Sequence, residues 1–304
     1  MYRWYARFCY IACAIALCVV VLGAYVRLSD AGLGCPDWPG CYGRLVVPSA
    51  EHSQATFPDR PLEAGKAWRE MVHRYLATSL GFFITLIALL AWRNRADPQQ
   101  PVRLPLILLA VVIFQGMLGM WTVTLLLKPL IVMGHLIGGL TTLGLLFWLV
   151  LEHRRRGMPG HGPAAAAVLG LVILAGQIAL GGWTSSNYAA LACPDLPTCG
   201  GQWWPSSADF SEAFVMWRGL GINYEGGVLE APARVAIHFS HRLGAMLTFL
   251  VLAVLGVRYL RRQERMLRTA GALVLLGVTA QVSLGISVVW FGLPLALATL
   301  HNAT

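Results

Sequence analysis

The chain has 304 residues, 57% of them hydrophobic and only 12% charged, with a mean hydropathy of +0.63 and a formal net charge of +9. So much apolar surface excludes an ordinary soluble domain and points to a chain that lives in lipid. The positive charge does not mark a nucleic-acid partner, because the basic residues sit in short turns between apolar runs.

Seven apolar runs lie near residues 8–26, 71–92, 104–127, 130–151, 164–184, 235–257 and 268–291. Each is long enough to cross a hydrocarbon core about 30 Å thick. An eighth starts at Pro294 and stops with the chain at Thr304, too short to span. The runs are continuous instead of alternating, so helices, not barrel strands, must satisfy the backbone in lipid. The expected fold is an all-α integral membrane protein of eight transmembrane helices, the last incomplete. The first run follows Arg3 and Arg7, but Tyr25-Val26-Arg27 makes a poor cleavage site, so it reads as a retained helix.

Arginines gather at the N-terminus and after the second, fourth and sixth runs, as in Arg93, Arg95, Arg154–Arg156, Arg261 and Arg262. Positive turns stay inside, so the N-terminus is expected in the cytoplasm and the long loops after the first and fifth runs outside. Those two loops hold Cys35, Cys41, Cys193 and Cys199, each pair separated by five residues with two prolines between. An oxidising outside compartment and this spacing suit the disulfides Cys35–Cys41 and Cys193–Cys199. Zinc is the competing reading, but it prefers a shorter knuckle spacing. Cys9, Cys13 and Cys18 read as small apolar fillers of the first helix.

The chain repeats itself. Cys35-Pro36-Asp37-Trp38-Pro39-Gly40-Cys41 matches Cys193-Pro194-Asp195-Leu196-Pro197-Thr198-Cys199, and His73-Arg74 matches His241-Arg242. Gln115 precedes His135 by 20 residues, and Gln281 precedes His301 by the same interval. Offsets between matching positions are nearly constant, so the expected organisation is two parallel four-helix units, residues 1–156 and 157–304.

Histidines kept at repeated places in apolar helices point to ligands or proton carriers. His73 with His135, and His241 with His301, would supply two axial nitrogens to a haem iron in each four-helix unit. Gly134, Gly138 and Gly139 flank His135 and would let a flat macrocycle approach the backbone. The halves differ at one place, where Glu70-x-x-His73 aligns with His238-x-x-His241. A carboxylate one turn from a ligand can handle protons, although an acid at a helix start also answers to the dipole. Glu-x-x-His occurs in di-iron bundles too, but those need further buried acids, which the apolar runs lack. Arg74 and Arg242 either meet haem propionates or snorkel to headgroups. Gln115 and Gln281 are expected to bond across helices, and His52, His153 and His161 to be solvated.

These motifs, together with Leu300-His301-Asn302-Ala303-Thr304, resemble those of the haem A synthase family over nearly the whole chain. The resemblance implies oxidation of the C8 methyl of haem O to a formyl group by successive hydroxylations. It implies haem O/haem A as substrate and product at His73 and His135, with Glu70 assisting, and haem b on His241 and His301. It further implies a bacterial inner-membrane location, with a haem O synthase upstream and terminal oxidase assembly downstream. The electron donor is left open, as is a homo-oligomer. The Cys35/Cys41 pair resembles the family's redox-relevant pair, with Cys193/Cys199 more structural. The main alternative is a di-haem cytochrome that only moves electrons; a transporter is less favoured because the polar residues cluster at the outer ends of the helices, not at midplane.

Overall fold

The structure, a computed structural model, describes residues 2–154 and 165–304. Its helices are α1 (Tyr2–Leu28), α2 (Ala50–Thr56), α3 (Ala64–Arg93), α4 (Arg103–Thr124), α5 (Pro129–Arg154), α6 (Ala165–Ser186), α7 (Phe210–Ala213), α8 (Ala231–Leu260), α9 (Arg265–Trp290) and α10 (Leu295–Ala303). No strand occurs among the described residues. Seven of these helices, α1, α3, α4, α5, α6, α8 and α9, are long and apolar enough to cross a membrane. The chain is an all-α, multi-pass membrane protein. Its exterior is inverted relative to a soluble protein: Phe82 is 60% exposed and Leu276 68%, as lipid contact demands.

Helices α3 and α8 are among those that begin earlier than hydropathy suggests. The apolar run near 71 is preceded by a helical stretch from Ala64, and the run near 235 by one from Ala231. The reason is chemical: Lys66, Arg69 and Glu70 lower the hydropathy of α3's first turns while leaving its backbone helical. Pro232 near the start of α8 costs nothing, since the first helical N–H groups have no partner to lose. α10 starts after Pro294 as expected and runs for 9 residues.

The chain divides into two compact units, one of Met1–Gly160 with Leu220–Glu225, the other of His161–Gly219 with Gly226–Thr304. In the first, α1 packs on α3 and α5, and α4 packs on both α3 and α5, closing a four-helix ring. In the second, α6 packs on α8, α8 on α9 and α9 on α10. The helices thus follow the same neighbour order in each unit.

At the end of the first unit that carries the N-terminus, the interior is filled. Cys9, Ala12 and Ala16 on α1 let that helix approach Leu80, Ile84 and Ile87 of α3, with Leu108, Leu146 and Leu149 completing the cluster. Small residues at such spacing are how helices associate without a hydrophobic drive. Cys9 is therefore a buried filler, whereas Cys13 is half-buried and Cys18 exposed. The histidines lie at the other end, near the cysteine loops.

Tight turns bring the helix pairs together there. After α4 the chain reverses through Leu126 and Leu127, both at positive φ (52° and 59°), and Leu127 N–H returns to the Thr122 carbonyl at 2.8 Å. After α9 the matching positions are Gly292 and Leu293 (69° and 66°), with Leu293 N–H bonded to the Val288 carbonyl. Left-handed backbone costs a leucine about 1–2 kcal/mol, so both units hold this turn against intrinsic preference. The turn sets Gln115 opposite His135 and Gln281 opposite His301.

Candidate functional site

Both cysteine loops are closed by disulfides, Cys35–Cys41 and Cys193–Cys199. Each of these four sulfurs is bonded to its pair partner, which leaves no thiol in either loop for the zinc reading. The two loops share one architecture. Asp37 accepts from the backbone N–H groups of Tyr42 (2.6 Å) and Gly43 (2.8 Å); Asp195 accepts from those of Gly200 (2.5 Å) and Gly201 (2.9 Å). Cys41 pairs with Arg44, and Cys199 with Gln202, in matching backbone bridges. The repeated aspartate is thus the organiser of each loop. The Thr198 hydroxyl bonds Asp195, and with the Gly201 and Gly200 N–H groups holds this carboxyl at about 2, below the ordinary carboxylate range.

Each loop is then fastened to the helix that carries the His-Arg pair. Arg74 donates Nη1 to the carbonyls of Asp37 (2.9 Å), Pro39 (3.2 Å) and Gly40, while its Nη2 pairs with Glu70. Arg242 donates to the carbonyls of Asp195 (2.7 Å), Thr198 (2.8 Å) and Cys193 (2.6 Å). Both guanidinium groups hold the loops, and neither snorkels outward. Arg242 keeps one buried N–H, Nε, without a hydrogen-bond partner.

Glu70 is 5% exposed and His238 4%. Glu70 Oε2 accepts the Cys35 backbone N–H at 2.9 Å, and His238 Nδ1 accepts the Cys193 N–H at 3.1 Å. Carboxylate and imidazole therefore satisfy the same backbone donor in the two units. They are equivalent as anchors, and differ in the proton chemistry each offers.

The four histidines occupy matching seats. In the first unit the rings of His73 on α3 and His135 on α5 have centroids 6.5 Å apart and planes at 81°. Two imidazoles sharing one metal through bonds of about 2.0 Å sit with ring centres about 6 Å apart. Nδ1 of His73, His135 and His301 is buried without a hydrogen-bond partner. Two nitrogens alone suit a metal whose remaining ligands come with a macrocycle, so the residues present fit a haem.

Four glycines, none of them singled out by the sequence, make these seats. A Cβ at Gly23 would meet His73 Cε1 at 2.9 Å, one at Gly119 His135 Cε1 at 3.4 Å, one at Gly181 His241 Cε1 at 3.2 Å, and one at Gly285 His301 Cε1 at 3.0 Å. Each histidine thus rests against a bare stretch of a neighbouring helix. The glycines beside His135 do something else. The space beside Gly138 is taken by the Gln115 side chain, which also borders Gly139. Gly138 and Gly139 admit an amide where a flat macrocycle was expected, while Gly134 has only Leu118 in contact range of its Cβ position.

Gln115 Nε2 donates to the His135 carbonyl at 2.8 Å, and Gln281 Nε2 to that of His301 at 2.9 Å. A third glutamine, Gln177 on α6, does the same for His241 at 3.1 Å and also reaches its ring. Sequence reading passed over Gln177, because its repeat counterpart is Val19. Of the histidines assigned to solvent, His52 lies on α2 half-buried, its Nε2 bonded to the Tyr42 carbonyl at 3.1 Å. His153 lies near the end of α5, and His161 is outside the described residues.

The family model of the cytochrome oxidase assembly proteins, COX15-CtaA, matches residues 6–304. The chain belongs to that family. Haem A synthases are among its relatives in this family. The one from Shewanella oneidensis is 46% identical over 303 residues, covering 96% of this chain and 89% of its own length. The haem A synthase of Beijerinckia indica is 31% identical over 314 residues (94% and 84%), and that of Halalkalibacterium halodurans 27% over 298 (93% and 86%).

Proposed function

We propose that the chain is a haem A synthase of the bacterial cell membrane, an oxidoreductase that converts haem O to haem A. The first unit takes haem O between His73 and His135, and its C8 methyl is oxidised to a formyl group through successive hydroxylations. His241 and His301 hold a haem b, whose iron supplies one-electron redox chemistry when bound. The observation that carries this reading is inequivalence within a repeat. Seats, loops and arginines match, but only the first unit sets a carboxylate, Glu70, one helical turn from its histidine.

In this reading the chain's own residues do the following. His73 and His135 bind and orient the substrate from opposite sides, while the Gly23 and Gly119 seats fix how deep each ring stands. Glu70 accepts and returns protons where the methyl is oxidised, kept in place by Arg74 and the Cys35 N–H. The disulfide loop, pinned by Arg74, covers that end of the unit and limits water. Arg242 Nε is the donor best placed to meet a propionate in the second unit, and Arg74 is its counterpart in the first. The N-terminus lies in the cytoplasm and both disulfides outside. Haem O would come from the enzyme that makes it, and haem A pass to terminal oxidase assembly.

The shared anchoring of Glu70 and His238 favours a second reading, a di-haem cytochrome in which Glu70 only holds its loop. Glu70→Gln separates the two, because an amide oxygen still accepts the Cys35 N–H. A synthase retains its bound haems and disulfide in this variant but makes haem A at least about 100-fold more slowly. Unchanged haem A output, read by extraction and chromatography from cells supplied with haem O, would remove Glu70 from the chemistry.

A further inference from the structure

The second cysteine loop carries an apolar stretch that the haem chemistry leaves unused. From Trp203 to Trp217 the chain presents Trp203 (75% exposed), Trp204 (64%), Phe214, Val215, Met216 and Trp217 to its surroundings. Two contacts fix the level at which this stretch sits. The Trp204 ring stands edge-on to Phe239, with centroids 5.1 Å apart. Phe239 lies eight residues into α8, about 12 Å along the helix axis. In the last turn of α6, Trp183 Nε1 donates to the Ala213 carbonyl at 2.9 Å. Both α6 and α8 are long and apolar enough to cross a membrane, and Phe239 belongs to the apolar run near 235–257. The loop therefore folds back alongside the helices instead of rising above them.

Its charges are occupied locally. Asp209 caps the short helix α7, accepting from the N–H groups of Ser211 (3.0 Å) and Glu212 (3.2 Å). Glu212 pairs with Arg218, whose Nη2 also donates to the Glu212 carbonyl at 2.9 Å. The first cysteine loop has exposed Leu45 and Val46 where the second has Trp203 and Trp204. It then turns polar, with Glu51 and Gln54 exposed on α2.

We infer that the Trp203–Trp217 stretch is a membrane-surface site, lying in the phospholipid headgroup layer on the cysteine-loop side. Indole suits that layer because its body is apolar and its N–H edge is polar. An outward side chain level with a spanning helix has lipid for its solvent. That level, and the local pairing of the charges, favour a lipid surface over a water-borne protein as the occupant. Phe239 packs on Cys193 and Cys199, so through Trp204 the bilayer braces the second disulfide loop. The first loop, polar at α2, faces water there.

The test is spin labelling of the full chain, purified with its haems and placed in nanodiscs of phosphatidylethanolamine and phosphatidylglycerol. Cys9, Cys13 and Cys18 are replaced by alanine. Single labels are attached at Met216→Cys, at Trp203→Cys and, as the water reference, at Gln54→Cys. Labels at 203 and 216 should collide more with oxygen, which dissolves in lipid, than with a nickel chelate, which stays in water. The label at 54 should show the reverse. Nickel access at 203 and 216 equal to that at 54 overturns the proposal, because the stretch would then stand in water. Shielding from both reagents also overturns it, since protein, a second copy of the chain included, would then cover the patch. Should the cysteine variants lose their haems, Trp203→Phe serves in their place. Exchange into brominated phospholipids should then quench less tryptophan fluorescence in Trp203→Phe than in the parent, and equal quenching overturns the proposal.

Discussion

Asp195 shows how much one side chain can organise. It accepts from the N–H groups of Gly200 and Gly201 and from the Thr198 hydroxyl, and so closes the second cysteine loop on itself. Its carboxyl titrates at about 2 in the folded chain, below its ordinary 3.8, chiefly through Thr198. A folded value below the unfolded one means that the stabilisation is complete above about pH 4 and fades as the pH falls toward 2. Asp195→Asn should therefore speed amide exchange at Gly200 and Gly201 at neutral pH, and the variant and parent should converge near pH 2. Equal exchange at neutral pH would count against the aspartate as organiser. Asp37 and Asp195 were legible as repeated residues, but their purpose was not. The partners the two share are backbone N–H groups, which carry no residue signature.

The same limit applies to Gln177. Its partner His241 is 64 residues away on another helix, and the repeat hides it behind Val19. His73, His135, His241 and His301 stood out because imidazole in an apolar run is costly and so rarely accidental.

At the level of helices, glycine seats decide where the histidines stand. An alanine in place of a helical glycine ordinarily stabilises by about 0.4–1 kcal/mol. At Gly23 the new methyl would lie 2.9 Å from His73 Cε1, closer than a Cβ can sit, whereas at Gly119 the 3.4 Å contact with His135 is bearable. Gly23→Ala should therefore lose the bis-imidazole spectrum of the first unit while the second unit keeps its own. Gly119→Ala should keep both. Retention of both spectra in Gly23→Ala would show that His73 has room to spare. The seven long helices could be read from hydropathy because their apolar character is continuous. The first turns of α3 could not, since Lys66, Arg69 and Glu70 belong to the helix yet lower its hydropathy. The seats were illegible for a different reason: a glycine in a membrane helix has many uses, and only the facing side chain says which.

For the whole molecule, the distribution of arginines makes a topological claim. In sealed right-side-out vesicles treated with reductant, a membrane-impermeant thiol reagent should label Cys35, Cys41, Cys193 and Cys199. Inverted vesicles should protect them. Labelling only in inverted vesicles would reverse the assigned orientation. The two halves could be read as a duplication, but one exchange between them could not. Leu220–Glu225, from the second outer loop, belongs to the first unit. There Tyr224 packs with Leu33, Val123 and Leu127, and its N–H bonds the Leu126 carbonyl at 3.0 Å. No periodicity announces that docking, because it depends on one aromatic at the end of an irregular loop.

That docking has a historical reading. A duplicated ancestor would have had halves that were interchangeable, each complete in itself. Once the first unit came to borrow Tyr224 from beyond the duplication point, it could no longer be cut out whole. A gene split between the halves would yield a first product with an uncovered apolar hollow at Leu33 and Leu127. Co-expression of the second half, which carries the missing hexapeptide, would be needed to fill it. The two halves stay in one chain not only by inheritance but because the first depends on the second.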